Sequence, residues 1–350
     1  MNNYDCIVIG GGQSALACGY YLRRTDLNYT LLDANDSPGG AWLNAWDSLT
    51  LFSPADHSSL PGWMMPASKK EFPSKDEVIK YLTAYEQKYK IPVERGVRVI
   101  NVERDGDEFI LKTSNETYSC KKLVVATGTY EKVFIPDING LNDFQGKQVH
   151  SANYKNEKEF IDQSVLVVGE GNSGAQILSE LSKVAKCYWA TAKEPEFLPD
   201  DVDGRVLFDS ASAIYYAKKQ GRKLDTQKIN LGNIVMVPPV KEARDRGVLK
   251  SDGSIKGFTE NEVVWGDNTK NKIDAIVWCT GFRYNTDFLK NIVSLDEKGK
   301  IKTEDTQSVE EQNLWLVGFG GWTGFASATL IGVGRSARKT VKDIEESFEK

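Results

Sequence analysis

Twice in 350 residues the chain runs an apolar strand into a glycine-spaced turn and out into a helix-forming stretch. The first copy is YDCIVIGGGQSALA at residues 4–17, and the second is VLVVGEGNSGAQ at residues 165–176. Such a turn permits few folds. Its first Gly allows the tight bend, its second lets backbone approach a pyrophosphate, and its third lets helix and strand pack closely. The phosphates then sit at a helix N-terminus, where unpaired N–H groups and the helix dipole favour negative charge. Gly10, Gly12, Ser14 and Ala15 fit G-x-G-x-x-A, and Asp33 closes the next strand, about 20 residues on, where a carboxylate takes ribose hydroxyls.

The second turn carries Gly169, Gly171, Asn172, Ser173 and Gly174 in the same context, but its following strand ends in Thr191-Ala192-Lys193, without an acid. An acid at that tip favours NAD, whereas a cation accommodates the 2′-phosphate of NADP. Lys193 is the candidate cation, a solvated surface lysine being the alternative. The expected coenzyme is NADPH, with NADH tolerated. Two such turns in one chain imply two nucleotides, and flavin plus nicotinamide is the pairing in which one accepts hydride from the other.

Coarse elements follow the same repeat. Strands at Tyr4–Ile9 and Tyr29–Asp33 flank a helix at Ser14–Arg24, and strands at Val165–Val168 and Cys187–Thr191 flank one at Ser173–Val184. A helix is predicted over Lys75–Tyr89, with Val78, Ile79, Leu82 and Tyr85 on its apolar face, and a hairpin turns on residues 105–107. Further strands are predicted at Lys122–Thr127, Ala275–Trp278 and Leu314–Val317, and a closing helix from about Ser327. Residues 34–75 read as a long functional loop, and residues 192–262 give no clear periodicity.

Composition removes several classes. The net charge of −5 and the absence of a long basic run exclude the footprint of a nucleic-acid binder. No apolar run approaches a membrane span, and no leader pattern precedes the first strand, so a cytoplasmic protein is expected. Five scattered cysteines without a CxxC pair argue against a dithiol centre, and two histidines without neighbouring soft ligands argue against a metal.

Three further segments carry a family resemblance. FQGKQVHSANY (144–154) matches F-x-G-x-x-x-H-x-x-x-[FWY], and strand ends VVATGTY (124–130) and VWCTGFR (277–283) repeat a Thr-Gly terminus. With the two glycine turns, the whole chain resembles the class B flavin-containing monooxygenases, most closely the compact soluble bacterial members, including those of arsenic-resistance operons. The resemblance implies an α/β fold of two Rossmann-like dinucleotide domains: a discontinuous FAD domain at 1–155 and 272–350, interrupted by an NAD(P)H domain at 156–271. It implies that Gly10, Gly12, Ser14 and Ala15 cradle the FAD pyrophosphate while Asp33 holds the ribose. Gly39, Gly40 and Trp42 would line the flavin side with Leu49 nearby, Val99 would meet the adenine, and Thr127-Gly128 would pass beneath FAD. Ala326-Ser327 would open a helix facing the flavin pyrimidine. Gly169, Gly171, Asn172, Ser173 and Gly174 would bind the nicotinamide nucleotide.

The resemblance further implies oxygen transfer from O2 to a small soft nucleophile, a sulfide or amine, through a flavin C4a-hydroperoxide, in a possible homodimer. Two departures stand out: LFSPADHSS lacks a counterpart of the flavin-side Asn, and Gly320-Gly321 replaces Gly-Asp before the closing helix. His57, in the long loop, is the candidate for contact with oxygen or substrate, and His150 reads as a structural hydrogen-bonding residue. Two rivals stay open, a flavin reductase of a disulfide or quinone, and a non-catalytic redox sensor.

Overall fold

The computed structural model describes residues 2–222 and 233–349. The N-terminal stretch supplies β1 (Asn2–Ile9), α1 (Gln13–Leu22), β2 (Tyr29–Leu32), α2 (Lys75–Tyr89), β3 (Val93–Glu94), β4 (Val99–Asp105), β5 (Glu108–Thr113) and β6 (Thr117–Val125). The middle adds β7 (Lys147–His150), β8 (Ser164–Val168), α3 (Asn172–Leu181), β9 (Lys186–Ala190), α4 (Gly204–Lys219), α5 (Pro238–Asp245), β10 (Ile255–Phe258), β11 (Glu262–Trp265), β12 (Lys270–Lys272) and β13 (Ala275–Trp278). The C-terminal stretch contributes β14 (Thr303–Glu304), β15 (Gln307–Ser308), β16 (Leu314–Leu316) and α6 (Val333–Phe348).

These elements form two compact units, the first made of Met1–Leu43, Pro54–Lys132 and Arg283–Lys350, the second of Asn44–Ser53 and Val133–Phe282. In the first, β16, β6, β1, β2 and β3 lie side by side, all neighbouring pairs parallel. The C-terminal halves of β1 (residues 6–9) and β6 (residues 123–125) are buried because the parallel part of the sheet is covered on both faces, which explains their apolar runs. The β4–β5 hairpin pairs onto β6, and Val102, Phe109, Leu111 and Tyr118 pack with Leu314 and Leu316. α2 starts at a capping box: Ser74 Oγ accepts from the Glu77 amide, and Glu77 Oε2 accepts from the Ser74 amide at 2.8 Å. Such a cap is worth about 1 kcal/mol. Its buried face carries Val78, Tyr81, Leu82 and Tyr85, so Tyr81 takes the place expected for Ile79.

The second unit has its own parallel sheet, in the order β7-β13-β8-β9, and an antiparallel sheet β10-β11-β12. The boundaries expected at 155 and 272 fall inside this unit, because β7 pairs in register with β13, Trp278 opposite His150. Asn44–Ser53 belongs here too: the Gly204 amide donates to Phe52 O at 2.7 Å, and the Phe52 and Phe208 rings lie 5.7 Å apart. Residues 223–232, within the domain expected at 156–271, lie outside the described residues. Among the described residues no helix is long and apolar enough to cross a membrane.

A carboxyl pair fastens that inserted segment. Ser48 Oγ donates to Glu180 Oε2 at 2.7 Å, and the amide of neighbouring Asp47 donates to Lys155 O. Burial, then the hydrogen bond to Glu157, pushes the Glu180 carboxyl up to about 7. Glu157 is held low by the same bond, so the two carboxyls titrate together. Asp47 adds negative charge, and Lys158 faces Glu157 as the nearby cation. Because Glu180 binds its proton more tightly folded than unfolded, its contribution is fully present below the ordinary carboxyl range and is lost as pH rises towards 7. Glu180→Gln is therefore expected to melt 2–4 °C above the parent at pH 8, roughly 1 kcal/mol after solvent screening, and to match it at pH 5. Thermal scans across that range check this, and a gap independent of pH would refute the raised Glu180 carboxyl.

Candidate functional site

The first glycine turn is shaped by main chain. Gly10 has φ 120°, and a Cβ there would lie 2.6 Å from Ala126 O, the carbonyl that follows β6. α1 begins after Gly12 with no side-chain cap, so its first amides are left for a ligand. Asp33, one residue beyond β2, is buried and turned back over this loop: a Cβ on Gly11 would sit 2.2 Å from its Oδ2. Its Oδ1 accepts from the Asn35 amide and side chain at 3.2 and 3.0 Å, and Arg95 pairs with Oδ2. Burial raises the Asp33 pKa above the ordinary carboxylate value, opposed by Asn35 and Arg95. Arg95 also pairs with Glu86.

Two other segments reach the same turn. A Cβ on Gly40 would stand 2.6 Å from Gly12 Cα, which seats Gly39-Gly40 against it. Ser14 is buried, with the Gly318 backbone closing over its hydroxyl. Gln13 joins both segments: its Oε1 accepts from Trp42 Nε1 at 3.1 Å, and its Nε2 donates to Ala328 O at 2.6 Å. Ala15 is buried one turn into α1. Thr127-Gly128 follows β6 beside the turn, and the Thr127 Oγ1 atom is buried without a hydrogen-bond partner. Glycines no side chain can replace, open amides and an orphaned hydroxyl fit a bound dinucleotide.

The remaining expected residues fall as follows. Val99 opens β4, two residues after Val97, whose amide donates to Asp33 O. Leu49 lies in Asn44–Ser53 and so in the second unit. His57 ends a short 3-10 turn (Ala55–His57), its Nδ1 2.8 Å from Asp56 Oδ1. Ala326-Ser327 does not open a helix: α6 starts at Val333. Ala326 adopts φ 56°, and its carbonyl is taken by the Thr329 amide and hydroxyl, which closes the following residues into a turn instead of a helix. Ser327 is buried and bonded to Thr323 and Gly320 O.

The second turn repeats the first. Gly169 has φ 124°, and a Cβ would meet Cys279 O, the carbonyl after β13, at 2.3 Å. Gly174 abuts Gly169 O, which also accepts from Trp189 Nε1 at 2.9 Å. At Gly171 a Cβ would meet nothing within 4 Å, so the turn is open where backbone faces a ligand. Asn172 bonds the facing segment before α5, its Oδ1 accepting from the Val235 amide and its Nδ2 donating to Asn233 O. Ser173 is half-buried beside it, and Lys193 is exposed beyond β9. Glu170 Oε2 accepts from the Ala192 amide at 3.3 Å. His150 has both ring nitrogens engaged, with Gly281 O and the Ala152 amide, and burial lowers its pKa.

Gln13, Arg95 and Glu170 escaped the sequence reading. Two occupy the variable positions of the glycine patterns, and Arg95 meets Asp33 only through the fold. Among the described residues no group of three or more His, Cys, Asp and Glu side chains is placed to hold a metal.

The profile of the pyridine nucleotide-disulphide oxidoreductase family matches residues 7–318. The chain is 34% identical to an uncharacterized oxidoreductase CzcO of Bacillus subtilis, over 97% of this chain and 99% of that one. The solved structure of a flavin-containing monooxygenase from Stenotrophomonas maltophilia is 43% identical, with TM-score 0.91 and coverage of 99% and 100%. A bacillithiol disulfide reductase of Bacillus cereus shares the fold, with TM-score 0.75 at 20% identity over 99% and 100%.

Proposed function

Because the chain belongs to the pyridine nucleotide-disulphide oxidoreductase family, we propose that its two glycine turns hold FAD and NADPH for one reaction, the transfer of an oxygen atom from O2 to a small soft nucleophile. The observation that carries this is the 43% identity, across 99% of the chain, to a flavin-containing monooxygenase. Bound FAD supplies what no side chain offers, acceptance of a hydride and activation of oxygen. NADPH and a proton are consumed with O2; one oxygen atom goes to a sulfide or amine, and the other leaves as water.

The protein's part is to bind, orient and exclude water. The Gly10–Gly12 turn and the open amides of α1 would hold the FAD pyrophosphate, Asp33 the ribose, and Thr127 Oγ1 would gain the partner it lacks. Trp42 and the turn around Ala326 would be fixed on the flavin side through Gln13. At the second turn, Gly169, Gly171, Gly174 and the amides opening α3 would take the coenzyme's phosphates. The thiols fit no dithiol route: Cys6, Cys18 and Cys120 are buried, and burial pushes Cys18, Cys187 and Cys279 up to about 12.

Stopped-flow absorbance tests this reading. Protein reduced anaerobically with NADPH and mixed with oxygenated buffer is expected to give a transient near-ultraviolet band, distinct from oxidised and reduced flavin, that decays faster when a sulfide is added. Direct return to oxidised flavin, with peroxide released and no oxygenated product, would replace it with a reductase.

A further inference from the structure

Resting on the reading that the second turn holds the nicotinamide coenzyme, we infer that Glu170 reads the coenzyme's 2′ position and weights the site towards NADH. β9 ends without an acid, and Thr191, Ala192 and exposed Lys193 follow it. The acid comes instead from the turn. The Gly169 amide donates to Ala190 O at 2.9 Å, locking the turn to the strand end. One residue further along the turn, Glu170 Oε2 accepts from the Ala192 amide at 3.3 Å. A carboxylate is thereby held at the strand tip, where this fold reads the adenosine ribose. That bond uses one oxygen and leaves Oε1 to accept a ribose hydroxyl.

A 2′-hydroxyl donates to this carboxylate, whereas a 2′-phosphate faces it as a like charge. Lys193 opposes this on a flexible stem, as a point charge without a fixed fork. The neighbouring Thr191 hydroxyl is already bonded to Ser251 at 2.6 Å. Glu170 and Lys193 thus bring opposite charges to the tip, which lets both coenzymes bind, and Glu170 supplies the penalty against NADPH.

The test is calorimetric titration of flavin-loaded protein with NAD+, NADP+, 5′-AMP and adenosine 2′,5′-bisphosphate, none of which requires turnover. Glu170→Gln keeps an oxygen for the Ala192 amide and removes the charge. It is expected to raise the ratio Kd(NAD+)/Kd(NADP+) roughly tenfold, as loss of one charge contact at a solvated site does. The bisphosphate is expected to follow NADP+, and 5′-AMP to follow NAD+. Lys193→Ala is expected to move the ratio the other way. Binding of both coenzymes with the ratio unchanged within twofold in Glu170→Gln would overturn the role of Glu170 and leave the oxygenase reading standing. Flavin-loaded parent protein that binds neither nucleotide would overturn both.

Discussion

Purified Gly10→Ala protein is expected to be colourless and to gain no flavin absorbance when FAD is added. The obstacle is main chain. A Cβ at residue 10 would lie 2.6 Å from Ala126 O and 2.9 Å from its carbonyl carbon, and the residue holds φ 120°, where alanine is strained. Overpacking and backbone strain together cost roughly 2–6 kcal/mol. Relief requires β1 to part from β6, the most extensively paired strands of the first unit, with Ile9 opposite Val125 at the point of contact. Parting them also spoils the seat of Thr127. Gly106→Ala is the control, since it too has positive φ, at 57°, but a Cβ there meets nothing within 4 Å. It is expected to stay yellow with a melting temperature a few degrees lower at most. Flavin absorbance near 450 nm, followed by reconstitution, decides the matter. A yellow Gly10→Ala protein would show that the first turn does not hold the flavin.

Gly169→Ala is expected to do the reverse, keeping its colour and losing its reductant. A Cβ would lie 2.3 Å from Cys279 O at a residue with φ 124°. The same roughly 2–6 kcal/mol is charged to the second unit alone, and the turn that would hold the coenzyme is displaced. Anaerobic reduction by NADPH is expected to slow at least about a hundredfold, close to 3 kcal/mol, while dithionite still bleaches the flavin. Gly171→Ala separates ligand from fold, because nothing lies within 4 Å of its would-be Cβ. It is expected to melt with the parent yet bind the coenzyme more weakly. Unchanged NADPH reduction in Gly169→Ala would remove the second turn from the reaction.

The parts of this fold that sequence made legible are those where a single physical constraint acts locally. Both βαβ units were readable because buried parallel strands are continuously apolar and because main-chain crowding after them admits only glycine. The bounds of α2 were readable from its apolar period, although Tyr81 and not Ile79 completes the buried face. What stayed hidden is tertiary. The affiliation of Asn44–Ser53 rests on Phe52 meeting Phe208 and Gly204, more than 150 residues away. α6 starts at Val333, six residues after the expected Ser327, because the residues before it form turns tied by Ser327 to Gly320 O and by Thr329 to Ala326 O. Arg95 lies 62 residues from Asp33 in the chain, and only the pairing of β2 with β3 brings them together.

Each glycine turn rests on the carbonyl that follows a neighbouring parallel strand, Ala126 O under Gly10 and Cys279 O under Gly169. Those carbonyls precede Thr127-Gly128 and Thr280-Gly281, the repeated strand ends. A side-chain obstacle is removable by trimming the side chain, but every residue at 126 or 279 carries the same carbonyl. Loss of either glycine therefore has no second-site suppressor at its point of contact. Selection for restored function after such a loss should return no suppressor at residue 126 or 279, whatever the depth of the library.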